Sequence, residues 1–157
     1  MNSDAIQFGF NSKSYNLRLL VLLVGLPRSG KSTWARTVGF PIVNRDSIRL
    51  AMHGQKFHPA AEEFVTAVET AMVKSLFFSG HHSVVVDSTN LKAKHRERWE
   101  NFCEDFGVKL AYKVITTGKE ECIRRATEEG DQVLVEVIER MAAEAEPLSE
   151  DALQISF

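Results

Sequence analysis

This sequence is poor in several features that would each point to a class of protein. Of its 157 residues only two are cysteine. Cys103 and Cys122 lie far apart in helical patterns with apolar neighbours, so buried free thiols in a reducing compartment are expected, not a disulfide framework. Charge of one sign is missing too. Lys+Arg 19 against Asp+Glu 21 leaves a formal charge of -2, so no global basic field recruits nucleic acid, and any such contact has to come from a local patch. No apolar run reaches the ~18 residues of a membrane span. The N-terminus carries Asp4 and has no basic stretch ahead of an apolar one, which argues against a signal peptide and for a cytoplasmic location. Internal repeats, low-complexity segments and linkers are also absent. The adjacent His81 and His82 lack the spacing of a paired metal site and read as loop residues.

What is present is one conspicuous stretch, Gly25-Leu26-Pro27-Arg28-Ser29-Gly30-Lys31-Ser32, which fits G-x-x-x-x-G-K-[ST]. Before it, Leu19-Leu20-Val21-Leu22-Leu23-Val24 is the continuous apolar run of a strand buried on both faces. After it, Thr33-Trp34-Ala35-Arg36-Thr37-Val38 can open a helix that stops at Gly39. Strand, glycine-bounded loop and helix start make a phosphate cradle, because the glycines let the backbone approach an anion and the loop amides point at it. In such a loop Lys31 reaches the β- and γ-phosphates of a nucleotide and the Ser32 hydroxyl ligates Mg²⁺.

The rest of the chain is consistent with one α/β domain. A strand over 41–44 delivers Arg45-Asp46-Ser47-Ile48-Arg49 to its C-terminal end, where ligands sit in open α/β sheets. Asp46 there is either a general base for an attacking hydroxyl or the N-cap of a short helix over 47–52. Arg49, one turn on and on the same face, is either an anion-binding fork or a solvated helix arginine. Pro59 suits a helix start, and Phe64, Val68, Met72 and Leu76 recur every fourth residue as an apolar stripe, with Met72, Phe77 and Phe78 expected in the core. Ser83-Val84-Val85-Val86-Asp87 is a buried strand ending in a carboxylate, the place of an Mg²⁺-supporting Asp or of a turn cap.

Thr89 or Asn90 is expected to cap a helix running to about 106, with Leu91, His95, Trp99, Phe102, Cys103 and Phe106 on its apolar face. Lys92, Lys94, Arg96 and Arg98 give its front a basic cluster, either a solvated face or a holder for an anionic acceptor. A strand over 108–115 follows, then a helix over 119–129 carrying Arg124 and Arg125. Asp131 caps a second helix with Leu134, Val137, Ile138, Met141 and Ala145 as its stripe. Two helices joined by a short charged loop read equally as a phosphate-covering lid, with an Arg to stabilise charge, or as a plain hairpin. Residues 152–157 alternate and are expected to add a last strand.

Three segments together resemble one family. They are the loop at 25–33, Asn44-Arg45-Asp46-Ser47-Ile48-Arg49, and Asp87-Ser88-Thr89-Asn90-Leu91 with Arg96 and Trp99 downstream. They are similar to the kinase domain of phage-type polynucleotide 5′-kinases, and the likeness runs from about 19 to 141, fading into Val137-Ile138-Glu139-Arg140-Met141. The resemblance implies a P-loop NTPase or nucleoside-kinase-like three-layer sandwich, with a parallel sheet flanked by helices and a small helical lid over about 119–145. The kinase domain would cover 17–157, with 1–16 a polar, glycine-broken extension, loosely attached or forming a short edge element.

It further implies transfer of the ATP γ-phosphate to a 5′-hydroxyl of DNA or RNA, with ATP and Mg²⁺ as cofactors. Lys31, Asp46 and Arg125 would be catalytic. Gly25, Pro27, Ser29, Gly30, Lys31, Ser32, Thr33 and Arg124 would bind ATP. Arg49, Asp87, Asn90 and Arg96 would face the substrate, and Ser32 and Asp87 the metal. The departure is in the lid, where Glu128-Glu129 precede Gly130 in place of the family's arginine. A small-molecule kinase (sugar acid, nucleoside or antibiotic hydroxyl) and a non-catalytic ATP-binding module stay open beside this reading, as does a homo-oligomer. No membrane partner is expected.

Overall fold

The computed structural model describes residues 17–157, so the extension expected over 1–16 lies outside the described residues. Four parallel strands, β1 (Leu19–Val24), β2 (Ile42–Asn44), β3 (Ser83–Asp87) and β4 (Lys109–Val114), form one sheet in the order β2-β3-β1-β4. The chain leaves β1 towards β3 and β2 and returns to its other side at β4. The C-terminal ends of β1 and β3 therefore border the crevice where the path changes direction, the usual ligand position in such sheets.

Alternation along β1 divides the interior in two. Leu20, Leu22 and Val24 face one side, with Val84 and Val86 of β3. There they pack on Val65, Val73 and Phe77 of α3 (Glu62–Phe78) and on Trp99, Phe102 and Cys103 of α4 (Ala93–Phe106). Val21, Leu23 and Val85 face the opposite side, against Ala35 of α1 (Lys31–Ala35), Trp34 and Ile155. Strands sandwiched between two apolar layers have no polar face, which is why they read as unbroken runs of Leu and Val. Each such fully buried side chain contributes about 1.5–3 kcal/mol. The remaining helices are α2 (Arg45–His53), α5 (Lys119–Glu128) and α6 (Gln132–Ala143), with a 3-10 turn over Pro59–Ala61. Helices α5 and α6 share their own cluster, Cys122, Ala126, Val135 and Ile138, with Leu26 of the phosphate loop packed against it. No helix of the described residues is long and apolar enough to cross a membrane. Both cysteines are free and buried, as expected.

Several local expectations are corrected. Helix α1 starts at Lys31 and ends at Ala35, because Thr37 turns back onto the Trp34 carbonyl through both its amide and its hydroxyl. Asp46 is not an N-cap. Asn44 holds that place, its Oδ1 accepting from Ser47 N at 2.7 Å, and Asp46 lies inside the first turn of α2.

On α3 the fourfold period is right and its phase is off by one. The buried face is Val65, Glu69, Val73 and Phe77, while Phe64, Met72 and Phe78 are exposed. The acid at 69 interrupts the true stripe, so the uninterrupted apolar one beside it drew the assignment.

Neither Thr89 nor Asn90 caps α4. Lys92 is the cap residue without a side-chain bond, and Glu146 accepts from the Ala93 amide instead. His95 is exposed and Arg96 takes the buried position on that face. Residues 152–157 make one bridge, Tyr112 to Gln154, and no full strand.

Candidate functional site

The phosphate loop is shaped by close approach. A Cβ at Gly25 would meet Ser29 Oγ at 2.9 Å and the Ile115 carbonyl at 3.1 Å, so any side chain there would force Ser29 and the Ile115 backbone to shift. Gly30 has φ +102° and enters α1. Arg28 has φ +64°, a left-handed conformation that costs a side-chain-bearing residue about 1–2 kcal/mol. The Lys31 ammonium is held inside the loop, 2.6 Å from the Leu26 carbonyl. Its burial pushes its pKa down, and the Asp87 carboxylate pulls part of the way back. Ser29 Oγ is buried and has no hydrogen-bond partner among the described residues. A buried ammonium and an unpartnered buried hydroxyl in one glycine-bounded turn are suited to an oxyanion.

Beside the loop, Ser32 Oγ donates to Asp87 Oδ2 at 2.6 Å, and Asn44 Nδ2 donates to the same oxygen at 2.9 Å. The sheet register explains the meeting, since Asn44 and Asp87 are paired at the ends of β2 and β3. A hydroxyl and one oriented carboxylate are hard oxygen donors, the set Mg²⁺ takes when it arrives with phosphates and keeps much of its water. No group of three or more His, Cys, Asp or Glu that would form an all-protein cage occurs among the described residues.

The start of α2 lies next to this pair and carries Asp46 and Arg49. Arg49 Nη1 donates to Asp46 Oδ1 at 2.7 Å, and the Asp46 side chain is 62% exposed. Glu62 grips the rest of the guanidinium in a fork, Nε to Oε1 and Nη2 to Oε2 both at 2.8 Å. These bonds to Arg49 hold the Glu62 carboxyl below the ordinary carboxylate range. Arg49 is thus aimed by an acid on α3, and its Cζ lies 5.8 Å from the ring centroid of exposed Phe57. Arg45 anchors the same corner, through Glu69 at 2.8 Å and Glu62 at 3.2 Å. Glu69 also accepts from Arg98 at 2.6 Å, so one buried acid ties α2, α3 and α4 together. The Asp46 charge is felt by Lys31, which places the two within electrostatic reach.

On the other flank, α5 leans on the loop. Arg125 Nη1 donates to the Arg28 carbonyl at 3.0 Å and its Nε to Glu121 at 2.8 Å. Arg124 points elsewhere, clamped by Glu121 and Glu128 on its own helix. The two arginines hold the Glu121 carboxyl down at about 2, Arg124 contributing most. Glu129, at the end of α5, forms an ion pair with Arg28.

The structure therefore brings together Gly25, Ser29, Gly30, Lys31, Ser32, Asp87, Asp46, Arg49 and Arg125, with Pro27 and Thr33 in the same loop and helix start. It sets three expected residues apart. Arg124 is the first, for the reason just given. Arg96 is buried and donates to the carbonyls of Asn90, Leu91 and Pro147, which fastens the chain after β3 to the segment after α6 and leaves no fork for an acceptor. Asn90 is buried with φ +44°, and its amide donates to the Leu23 carbonyl at 2.9 Å, so it braces β1 behind the loop. The basic cluster of α4 disperses in the same way, Lys92 to Glu144 and Arg98 to Glu69. The residues missed are Glu62 and Glu69. Glu62 and Glu69 lie two turns apart on one face of α3, which was the available signal, and an acid at a core position of a helix calls for a basic partner.

An AAA domain family model (AAA_33) matches residues 20–148. Among solved structures, a chain of the Pnkp1/Rnl/Hen1 complex is 28% identical over 73% of this chain and 41% of that one, with a TM-score of 0.60. This chain thus spans less than half the length of that relative. The Mycobacterium tuberculosis APS kinase CysC, in complex with AMPPNP and APS, is 16% identical over 88% of both chains with a TM-score of 0.62. A gluconokinase from Sinorhizobium meliloti is 16% identical over 91% of this chain and 82% of its own, with a TM-score of 0.58. At that identity the last two are alike in fold. The parallel sheet, the loop between β1 and α1 and the match over most of its length agree, and the chain belongs to the AAA domain family with the fold of the P-loop kinases.

Proposed function

We propose that this chain transfers the γ-phosphoryl group of ATP to the 5′-hydroxyl of a DNA or RNA end. The observation that carries the reading is the Asp46–Arg49 pair, held by Glu62 at the C-terminal end of β2 beside Ser32 and Asp87. Lys31 and the loop amides bind the β- and γ-phosphates. Asp46, largely exposed, accepts the proton of the acceptor hydroxyl as that oxygen bonds to the γ-phosphorus and the bond to ADP breaks. Arg49, aimed by Glu62 through Nε and Nη2 and by Asp46 through Nη1, offers the remaining hydrogen on each Nη to a phosphate of the acceptor strand. Ser32 and Asp87 are the residues that would hold Mg²⁺, which when bound neutralises charge on the β- and γ-oxygens.

A nucleic-acid end is favoured over a small acceptor by Phe57. An exposed ring next to the phosphate-binding guanidinium offers a face for a base. The formal charge of -2 favours the second reading, a small-molecule kinase on the same core. The experiment is transfer of labelled γ-phosphate from ATP to a 5′-hydroxyl oligonucleotide, beside a 5′-phosphorylated control and a panel of sugar acids, nucleosides and aminoglycosides. Label on the 5′-hydroxyl oligonucleotide alone supports the end-kinase, and transfer that weakens steeply with salt fits a polyanionic acceptor. Label on a small compound alone moves the substrate and keeps the ATP site. ATP binding with no transfer to any acceptor favours a non-catalytic module.

A further inference from the structure

Arg28 differs from every other side-chain-bearing residue of the phosphate loop. Its backbone is left-handed at φ +64°, where a glycine would sit without strain, so the side chain is retained at a cost. Its carbonyl is fixed by Arg125 of α5. Its Nη2 meets Glu129 at the end of the same helix, and its buried Nε has no hydrogen-bond partner among the described residues. The other two arginines on this flank are committed, Arg124 to Glu121 and Glu128, and Arg125 to Glu121 and the Arg28 carbonyl. Arg28 is thus a guanidinium with donors to offer, standing on the loop that cradles phosphate.

Glu129 sharpens the point. A carboxylate at the rim of a polyphosphate site repels the ligand unless a cation screens it. Here its ion-pair partner is a residue of the loop itself. The pair is half in water, with side chains 33% and 50% exposed, so it is weakly held and open to competition. A phosphate brings more negative charge than a carboxylate and takes the guanidinium fork as well.

We propose that Arg28 binds the γ-phosphate of ATP from within the phosphate loop, and that Glu129 holds its guanidinium at the rim until the phosphate takes it over. Charge on the transferred group is then met by an arginine of the loop, and Glu129 is the residue that positions it. The exchange also frees the end of α5 from the loop, so nucleotide occupancy and the pose of the α5–α6 hairpin become linked. This rests on the ATP-using reading above and is independent of the acceptor.

The test compares the affinities of the Mg²⁺ complexes of ATP and ADP for wild type, Arg28→Gly and Glu129→Gln. Glycine keeps the left-handed backbone, so loss of the loop shape is not expected, and thermal melting checks that the variant is folded. Arg28→Gly is expected to lose about tenfold in ATP affinity, the worth of one charge-assisted hydrogen bond, with ADP affinity within about twofold of wild type. Glu129→Gln, with the competitor neutralised, is expected to bind ATP about threefold more tightly and ADP unchanged. A folded Arg28→Gly with an unaltered ratio of ATP to ADP affinity overturns the proposal. Equal loss for both nucleotides also overturns it and makes Arg28 a loop-shaping residue. Wild type that binds ATP but labels no oligonucleotide overturns the acceptor assignment and leaves the Arg28 result standing. Wild type that binds neither nucleotide overturns both.

Discussion

The carboxylate of Asp46 and the guanidinium of Arg49 meet at 2.7 Å, one turn apart on the first helix after β2, and the meeting is arranged from outside that helix. Glu62 of α3 takes two of the guanidinium's donors and leaves Nη1 for Asp46. If Asp46 is the base, Asp46→Asn removes the proton acceptor and keeps the shape. Its kcat is expected to fall about a thousandfold with the KM for ATP unchanged, measured by γ-phosphate transfer. Near-native kcat in this variant means the base lies elsewhere.

Glu62 gives a separate prediction. Glu62→Gln keeps the size but loses the charged fork, so Arg49 is aimed less well. The KM for the oligonucleotide acceptor is expected to rise about tenfold while ATP affinity holds. Arg49→Lys is expected to do the same, because an ammonium does not reproduce a planar fork. A rise in the KM for ATP in either variant would place this corner on the nucleotide instead.

Glu69 concerns stability. It is buried and carries two arginines, Arg45 and Arg98, each partly open to solvent. Glu69→Ala leaves both without their shared acid and is expected to destabilise the fold by about 3 kcal/mol, measured by urea denaturation. A loss under about 1 kcal/mol would show that the arginines relax into water at no great cost.

These acids also show what was legible in the sequence. The strand–loop–helix unit around Lys31, the carboxylate ending β3, the Asp131 cap and the parallel α/β class follow from local pattern, since a run of Leu and Val or a glycine-bounded loop carries its reason within a few residues. The fates of Arg96 and Arg98 do not. Each is settled by a carbonyl or acid brought up by the tertiary fold, such as the Pro147 carbonyl 51 positions from Arg96. A basic cluster is one object in the sequence, but in space Lys92 goes to Glu144, Arg96 to backbone carbonyls and Arg98 to Glu69. On α3 the same physics misleads in the other direction, because a charged residue needed in the core makes the buried face look polar.

Lys31 sets a pH dependence. Burial lowers its folded pKa below the ordinary 10.5. Between the lowered value and 10.5 the unfolded chain holds the extra proton, so this group makes the fold more stable as pH rises, not less. ATP affinity moves the other way. It is expected to weaken as pH rises through the lowered pKa, since the neutral amine no longer attracts phosphate. Lys31→Arg stays charged throughout and is expected to show a flat profile over the same range, whatever its absolute affinity. Parallel profiles for the two proteins would assign the alkaline loss to another group.

Phe57 separates the two acceptor classes. Its ring is 60% exposed, so it is open to a stacking partner. Arg49 lies beside it, so a base stacked on Phe57 would set its own strand phosphate within reach of the guanidinium. Stacking on an aromatic side chain is worth about 1–3 kcal/mol per base, so Phe57→Ala is expected to raise the oligonucleotide KM at least about fivefold. Phe57→Tyr should retain most of the wild-type value, because the face is kept. The KM for ATP should not move in either variant, since the ring stands beside Arg49 of α2 and is not part of the phosphate loop. If the substitution leaves the oligonucleotide KM unchanged, the base does not rest there. If a base-free acceptor suffers equally, the ring is shaping the loop over 54–58 and the nucleic-acid reading loses its particular support.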